Sequence, residues 1–317
     1  MRRTAGFLEA FSRKPWTVKK ATRGKALDFA LPFARGEFLV VFDAEDRPEP
    51  GQLRKAAAQF RAAPADIACL QARLAFYNQT NWLTAQAQSD YRLWFGTLLP
   101  GLARLGVPIP LGGTSNHFRA RVLRDAGAWD PFNVTEDADL GIRLARAGFR
   151  VAMLDSTTFE ETPAALSGWM KQRSRWLKGY MQTWLVHSRD PAGLIARTGW
   201  RGFLAFQFFI GGAVVSAIAN PVLWLTALAA CILPEAFGAA HDAAPFAVAG
   251  ALGANTILAL TILMTTPPGE PRRLGGAFGV PLYWLLISCA AYRAFVHLLL
   301  KPFHWEKTAH GASLPDA

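Results

Sequence analysis

Charge is scarce in this chain. Only 18% of its 317 residues are Asp, Glu, Lys or Arg and 51% are hydrophobic, whereas an ordinary soluble domain is about 25% charged. The deficit is uneven, because the first two thirds carry most of the charge and the last third carries little. That asymmetry excludes one uniformly soluble domain and implies a soluble part followed by a membrane part. Cysteine is scarce as well. Cys69, Cys231 and Cys289 are odd in number and far apart, so they read as small buried hydrophobes rather than as a disulfide frame or a thiolate metal site. The six histidines show no ligand spacing. The N-terminus is basic but no apolar core of signal-peptide length follows it, and there is no internal repeat or low-complexity tract.

Positive charge is in excess, with a formal net charge of +11. Nucleic acid, an anionic membrane surface or a phosphorylated substrate could each account for it. No recognised nucleic-acid motif is present, and the basic residues lie beside apolar runs, as they do in cytoplasmic loops of membrane proteins. Nucleic acid is therefore not an expected partner, whereas membrane lipids are.

Residues 1–24 are basic with little periodicity. From Glu37 to Phe42 a short β-branched apolar run ends in acids and predicts a buried strand. A helix is predicted from Gly51 to Ala62, a strand from Ile67 to Leu74, and a helix from Asn81 to Leu99. Pro108 to Phe118 reads as a Gly-rich loop and strand. Thr135 to Ala147 has the marks of a capped helix: Thr135 at the N-cap, acids in the first turn and Gly148 at the C-terminal stop. A strand from Phe149 to Leu154 and a helix opened by Pro163 follow. Strands alternating with helices imply an α/β domain.

Beyond Trp200 three apolar runs appear, Phe203 to Leu233, Ala243 to Thr266 and Phe278 to Leu300. A membrane span needs about 20 apolar residues, so three spans is the simplest count. Arg272 and Arg273 between the second and third runs place that loop, with the basic soluble part, on the cytoplasmic side. Three full spans would then put Lys301 and Lys307 outside. An interfacial helix from Tyr292 to Leu300, carrying Arg293 and His297, would resolve that tension.

Three polar signatures carry candidate chemistry. Asp43-Ala44-Glu45 puts two carboxylates just beyond a buried strand, where ligands of α/β sheets bind. Hard oxygens suit Mg2+ or Mn2+ bridging to a diphosphate, although a solvated acidic turn would look the same. Thr135-Glu136-Asp137 offers Asp137 as a base for a hydroxyl, and acids at a helix start are also favoured by the helix dipole alone. Gln172, Arg175 and Trp176 lie at i, i+3 and i+4 and share a helix face. Arg175 could fork onto a diphosphate and Trp176 could stack on a sugar, while a basic helix near a membrane remains the plainer reading. Gly112, Gly113, Thr114, Ser115 and Asn116 could let a sugar approach the backbone or form an ordinary loop. Lys25 could contact phosphate or be a surface lysine.

In order and spacing these motifs resemble the processive branch of glycosyltransferase family 2, which includes bacterial cellulose synthases and related β-glycan synthases. That family pattern is a strand ending in Asp-x-Asp, a Thr-Glu-Asp base motif, then Gln-x-x-Arg-Trp before membrane helices. Asp43 and Glu45 match the metal pair with Glu replacing the second Asp, Asp137 matches the general base, and Gln172, Arg175 and Trp176 match the third motif. Gly112 to Asn116 resembles the loop beside the acceptor. Gly24 to Leu31 resembles the Lys-Ala-x-x-x-Ala-Leu helix, with Asp28 where Asn is usual, and Pro302 to Thr308 resembles a segment after the last membrane helix.

The resemblance implies a GT-A-like catalytic domain over 25–200, transmembrane helices over 201–300 and a C-terminal tail over 301–317. It implies an inverting, metal-dependent transfer from a nucleotide-sugar, in particular a UDP-sugar, to a glycan or lipid-linked acceptor, in a multi-pass protein of the inner (cytoplasmic) membrane with its catalytic part facing the cytoplasm. Family members also begin with strands that hold the uridine, and nothing before Lys25 reads as that unit. The chain is thus expected to be the second part of such a domain, needing a missing N-terminal segment or a partner chain. A non-catalytic membrane subunit of a polysaccharide synthase is the alternative expectation.

Overall fold

The computed structural model describes residues 22–237, 239–266 and 277–306. The basic segment as far as residue 21, the Arg272-Arg273 loop and the tail from Lys307 onward lie outside the described residues.

A five-stranded mixed sheet forms the centre of the soluble part. Its strands are β1 (Phe38–Val41), β2 (Arg47–Pro48), β3 (Ile67–Phe76), β4 (Asn116–Arg119) and β5 (Arg150–Glu160), in the order β1-β4-β3-β5-β2. Only β3 and β5 run parallel; the other neighbours are antiparallel. The central β3 is buried along almost its whole length, as expected for a strand covered on both faces. Helices α1 (Arg23–Ala30), α2 (Gln52–Ala62), α3 (Trp82–Leu93), α4 (Leu99–Leu105), α5 (Ala120–Asp125) and α6 (Glu136–Arg146) surround it. On α2, Ala56 and Phe60 sit four residues apart and pack with Leu70 and Leu154 of the sheet. The expected helix from Asn81 to Leu99 is realised as α3, capped reciprocally by Asn81 and Thr84, then a π-turn over Trp94–Leu98.

Two predicted boundaries shift, each for a polar reason. Strand β5 runs on to Glu160, six residues past the expected end. Its added part is polar, so apolar periodicity does not reveal it. Ser156 and Thr158 are nevertheless buried, because Gln52 Nε2 donates to both hydroxyls at 3.1 Å and Ser115 Oγ lies 2.6 Å from Thr158 Oγ1. The helix expected from Pro163 begins instead at Leu166, as α7 (Leu166–His187). Asn78 holds Thr162 extended through two hydrogen bonds, accepting from its N–H at 2.9 Å and donating to its C=O at 2.7 Å.

The C-terminal third is helical. Helix α8 (Pro191–Phe206) bends at Gly199, where φ is 69°, and continues through a π-turn over Gln207–Gly211 into α9 (Gly212–Ile232), which carries Pro221 inside it. A short helical turn at Pro234–Phe237 and helices α10 (Ala239–Thr265) and α11 (Val280–Leu300) follow. Three stretches, Pro191–Ile232, His241–Thr265 and Val280–Leu300, are long and apolar enough to cross a membrane. Tyr292 to Leu300, expected as a separate interfacial piece, continues the helix begun at Val280, and its Arg293 pairs with Glu306 at 2.8 Å.

Helix α7 joins the two parts. It packs on α11, where Trp169 and Tyr283 rings lie 5.4 Å apart, and Met181 clusters with Val214 and Ala294 of the spans. Within the sheet domain, α6 lies directly on the Pro108–Gly113 loop. A Cβ placed on Gly141 would stand 2.0 Å from the Ile109 carbonyl oxygen, so only glycine permits this approach. Gly141→Ala is therefore expected to lower stability by roughly 2 kcal/mol or more. Thermal unfolding in detergent checks this, with Gly250→Ala as the control, because a Cβ there meets nothing.

Candidate active site

Strand β1 ends at Val41, and the chain turns sharply through Asp43-Ala44-Glu45-Asp46. Asp46 builds that turn. Its Oδ2 accepts the Asp43 N–H at 2.7 Å and also the Thr114 hydroxyl. The Ser115 N–H donates to the Val41 carbonyl at 2.8 Å, which ties the Gly112–Thr114 loop to the same corner. Burial raises the Asp46 pKa to about 6, against the opposing hydrogen bonds from Thr114 and the Asp43 amide. Asp43 and Glu45 are thereby turned into a cavity of about 850 Å3.

The start of α6 supplies the opposite wall. Thr135 occupies the N-cap position but makes no side-chain cap; its hydroxyl lies 3.4 Å from Asn133 Oδ1 instead. Glu136 and Asp137 follow, and both line the cavity. Asp137 Oδ1 accepts the Ala138 N–H at 2.7 Å. Its Oδ2 faces the Gly-rich loop closely enough that a Cβ on Gly113 would come within 3.0 Å. Burial raises the Asp137 pKa, and the nearby Arg23 charge opposes that rise. Burial and the neighbouring Asp137 together raise Glu136 to about 7.

A cation answers these carboxylates. Thr22 caps α1, accepting from the Lys25 N–H at 3.4 Å, and its hydroxyl donates to the Pro131 carbonyl at 3.1 Å. This anchoring sends Arg23 into the cavity. Its Nε donates to Asp43 Oδ1 at 3.0 Å, and its Nη1 to Glu136 Oε1 at 3.3 Å. Burial disfavours the guanidinium charge, but the fields of Asp43, Glu136 and Asp137 outweigh burial and hold its pKa above the ordinary value.

Helix α7 adds the third signature. Gln172, Arg175 and Trp176 all line the cavity. Gln172 is buried, and its Oε1 has no hydrogen-bond partner among the described residues. The Arg175 guanidinium lies 5.0 Å over the Trp305 ring and donates to the Glu306 carbonyl at 3.2 Å. Trp176 stacks on Tyr91 with ring centroids 6.0 Å apart. Arg173, between them in sequence, pairs with Asp90 at 2.7 Å and lies over the Trp169, Trp176 and Tyr283 rings.

The structure thus gathers Asp43, Glu45, Gly112, Gly113, Thr114, Asp137, Gln172, Arg175 and Trp176 around one cavity. Three expected site residues are elsewhere. Lys25 is not in the cavity wall, and its Nζ lies 5.6 Å over the Phe132 ring. Ser115, with φ of 57°, and Asn116 are buried behind the loop, where Asn116 Nδ2 donates to the Gly112 carbonyl at 2.5 Å. Over Gly112 itself a Cβ would meet the Phe95 ring at 2.8 Å, so this position serves packing as well as the cavity. Sequence reasoning missed Arg23, Glu136, Glu160 and Trp305. Arg23 stood two positions from the residue chosen, on the same helix. Glu160 gave no signal: it closes a strand whose end was unforeseen, and its Oε1 is buried without a partner among the described residues. Burial pushes its carboxyl well above the usual range.

Among the described residues no three His, Cys, Asp or Glu side chains form a metal cluster. Asp43 and Glu45 nevertheless fit Mg2+ or Mn2+, which are commonly held by one or two carboxylates with substrate phosphates and water completing the shell. The Arg23 cation against Asp43 shows that this corner attracts positive charge.

The model of glycosyl transferase family group 2 matches residues 38–241, and the chain belongs to that family. It is 25% identical over 234 residues to a probable glucomannan 4-beta-mannosyltransferase 7 of Oryza sativa subsp. japonica, covering 71% of this chain and 39% of that protein. It is 27% identical over 311 residues to a beta-monoglucosyldiacylglycerol synthase of Synechocystis sp., covering 94% of this chain and 62% of that protein. The chain spans less than two thirds of the length of these relatives. The mannosyltransferase PcManGT from Pyrobaculum calidifontis, solved in complex with GDP-Man and Mn2+, superposes with a TM-score of 0.51 at 18% identity, over 89% of this chain and 68% of that one. The fold is accordingly the mixed α/β architecture of GT-A glycosyltransferases.

Glu136 generates a prediction with a definite sign. Its pKa rises from 4.5 to about 7 on folding, so the folded protein keeps the proton longer than the unfolded chain. Glu136 therefore withdraws stability as the pH rises between those two values. In Glu136→Gln this decline is expected to flatten. Melting temperatures of both proteins across that range check it, and parallel curves would refute it.

Proposed function

We propose that this chain transfers a sugar, with inversion, from a nucleotide-sugar to an acceptor hydroxyl at the cavity between β1, α6 and α7. The observation that carries this reading is the facing of Asp137 toward Asp43, Glu45 and Arg175 across one cavity. A base, an acidic metal corner and a guanidinium are the three things such a transfer requires.

In the proposed step the Asp137 carboxylate takes the acceptor proton while the acceptor oxygen attacks the anomeric carbon. The bond from that carbon to the donor phosphate breaks, and the diphosphate leaves with the electron pair. One displacement inverts the centre. Arg175 stabilises the leaving charge, and its place under Trp305 and against the Glu306 carbonyl fixes its direction. A Mg2+ or Mn2+ held by Asp43 and Glu45 would supply further neutralisation of the diphosphate. Arg23 bridges Asp43 and Glu136, pairing with them at 2.8 and 3.3 Å. Trp176, stacked on Tyr91 and covered by the Arg173 guanidinium, walls the cavity beside the reacting groups. The family resemblance favours a UDP-sugar. The named activities of the relatives support a glycan or lipid acceptor. Such chemistry belongs on the cytoplasmic face of the inner membrane, where nucleotide-sugars are made.

Asp137→Asn is expected to lower turnover by about 10²–10⁴-fold while donor binding persists. Calorimetry with UDP and Mn2+ on the detergent-purified chain, beside a radiolabelled transfer assay, tests both halves. Asp43→Ala is expected to remove the metal-dependent part of binding. Full turnover in Asp137→Asn would remove Asp137 as the base. Absence of UDP and GDP binding to the unaltered chain would favour a non-catalytic subunit.

A further inference from the structure

The cavity that holds Asp43 and Asp137 does not end at the soluble part. Its wall continues onto all three candidate spans, through Ala213 of α9, Leu258 and Ile262 of α10, and Val280 and Ile287 of α11. None of these five side chains carries a polar atom. Tyr283 and Trp284 are the other contributions of the spans, and the Tyr283 hydroxyl is directed at Asp90 Oδ2, 3.5 Å away. One cavity therefore has a charged end in the soluble part and a hydrocarbon end among helices suited to a bilayer.

We propose that the acceptor is a neutral membrane lipid bearing a free hydroxyl, with its hydrocarbon chain lodged between α10, α11 and the π-turn after α3. This rests on the glycosyl-transfer reading above and names the acceptor class for that same site. A glycan strand in the hydrocarbon end would bring many hydroxyls against Leu258, Ile262 and Ile287, which offer them no partner, and each unpaired hydroxyl would carry a desolvation penalty. An alkyl chain meets no such penalty and gains by leaving water. The second span is also the one least packed by protein. Only 6% of its apolar window is buried, against 33% and 28% for the other two, so its surface is the most open to a hydrocarbon chain.

The boundary between the two ends suits a neutral head. Arg173 is already neutralised by Asp90 at 2.7 Å and covered by the Trp169, Trp176 and Tyr283 rings. It presents no spare charge to a passing headgroup. Asp137, offered to the cavity as a base, argues against a lipid phosphate as nucleophile, because a phosphate acceptor needs no base to ionise it. A hydroxyl is the nucleophile for which a buried carboxylate is useful. The proton passes to Asp137, the new C–O bond joins the sugar to the lipid, and the nucleoside diphosphate leaves.

The test uses the full chain in phosphatidylcholine nanodiscs. A dioleoylglycerol analogue with a diazirine in its acyl chain serves as photoprobe, with labelled peptides located by mass spectrometry. In parallel, radiolabelled UDP- and GDP-sugars are supplied with dioleoylglycerol, a long-chain polyprenol or cellopentaose as acceptor. Labelling at Leu258, Ile262 or Ile287, displaced by unlabelled dioleoylglycerol, is expected, together with transfer to at least one of the two lipids; the two lipid arms tell a glycerolipid from an isoprenoid alcohol. Ile262→Trp is expected to reduce both labelling and lipid transfer by at least about tenfold while donor binding stays within about twofold; Leu258→Trp gives a second reading should the first variant fold poorly. Transfer to cellopentaose without transfer to either lipid would overturn the proposal and leave the glycosyl-transfer reading standing. Unchanged labelling and lipid transfer in both folded variants would overturn it equally. No transfer to any acceptor, with specific labelling retained, would instead sink the glycosyl-transfer reading and leave a lipid site without its reaction.

Discussion

Glu136 and Asp137 open a helix, where the dipole favours acids, yet Glu136 is buried and Asp137 half-buried against a cavity that also holds Asp43, Glu45 and Glu160. So many carboxylates in one enclosed place repel each other and lose hydration, and the surrounding structure has to answer for both. Arg23 does so on one side by reaching Asp43 and Glu136 together. Arg175 does so on the other, held by Trp305 and the Glu306 carbonyl. Glu160 is moved far up by burial and then by the fields of Asp46, Asp43 and Glu45, which outweigh the opposing Arg23 charge.

Helix α7 transmits this arrangement to the apolar helices of the C-terminal third. Gln172, Arg175 and Trp176 reach the cavity, while Trp169 packs on Tyr283 of α11 and Met181 packs with Val214 of α9 and Ala294 of α11. The segment after α11 then folds back across the same helix. Lys178 donates to the Lys301 and His304 carbonyls at 3.3 and 2.5 Å, and Gln182 donates to the Pro302 carbonyl at 3.0 Å. Backbone carbonyls freed at the end of a helix are satisfied in this way by side chains of another. Trp305 arrives over Arg175 as a consequence. The charged end of the cavity is therefore closed in part by residues from the far end of the chain, and its geometry depends on the docking of α11.

The joining of a polar and an apolar compartment follows from the same docking. Arg173 sits at the seam, and an unpaired guanidinium there would be costly. Asp90 from α3 neutralises it and three aromatic rings cover it. That seam lets one continuous cavity pass from carboxylates to aliphatic side chains without leaving a bare charge between them.

Much of this was legible in order along the chain. Apolar runs ending in acids, capped helix starts and long apolar stretches are local patterns, and local patterns fix where strands, helices and candidate spans fall. The spacing of Gln172, Arg175 and Trp176 alone put them on one helix face, because 3.6 residues per turn allows nothing else. Local pattern could not extend β5 to Glu160, since its polar end is kept in the sheet by Gln52 and Ser115, distant in sequence. Nor could it choose between Arg23 and Lys25. Both lie on one short helix, and only the anchoring of Thr22 to Pro131 aims the first at Asp43 and leaves the second over Phe132. The sequence by itself determined the elements and the chemical types available to the site. Tertiary structure decided which charges face each other, which glycines make room for packing, and that the hydrocarbon walls of the spans open onto the carboxylates, because each of these is a distance between residues that the chain keeps far apart.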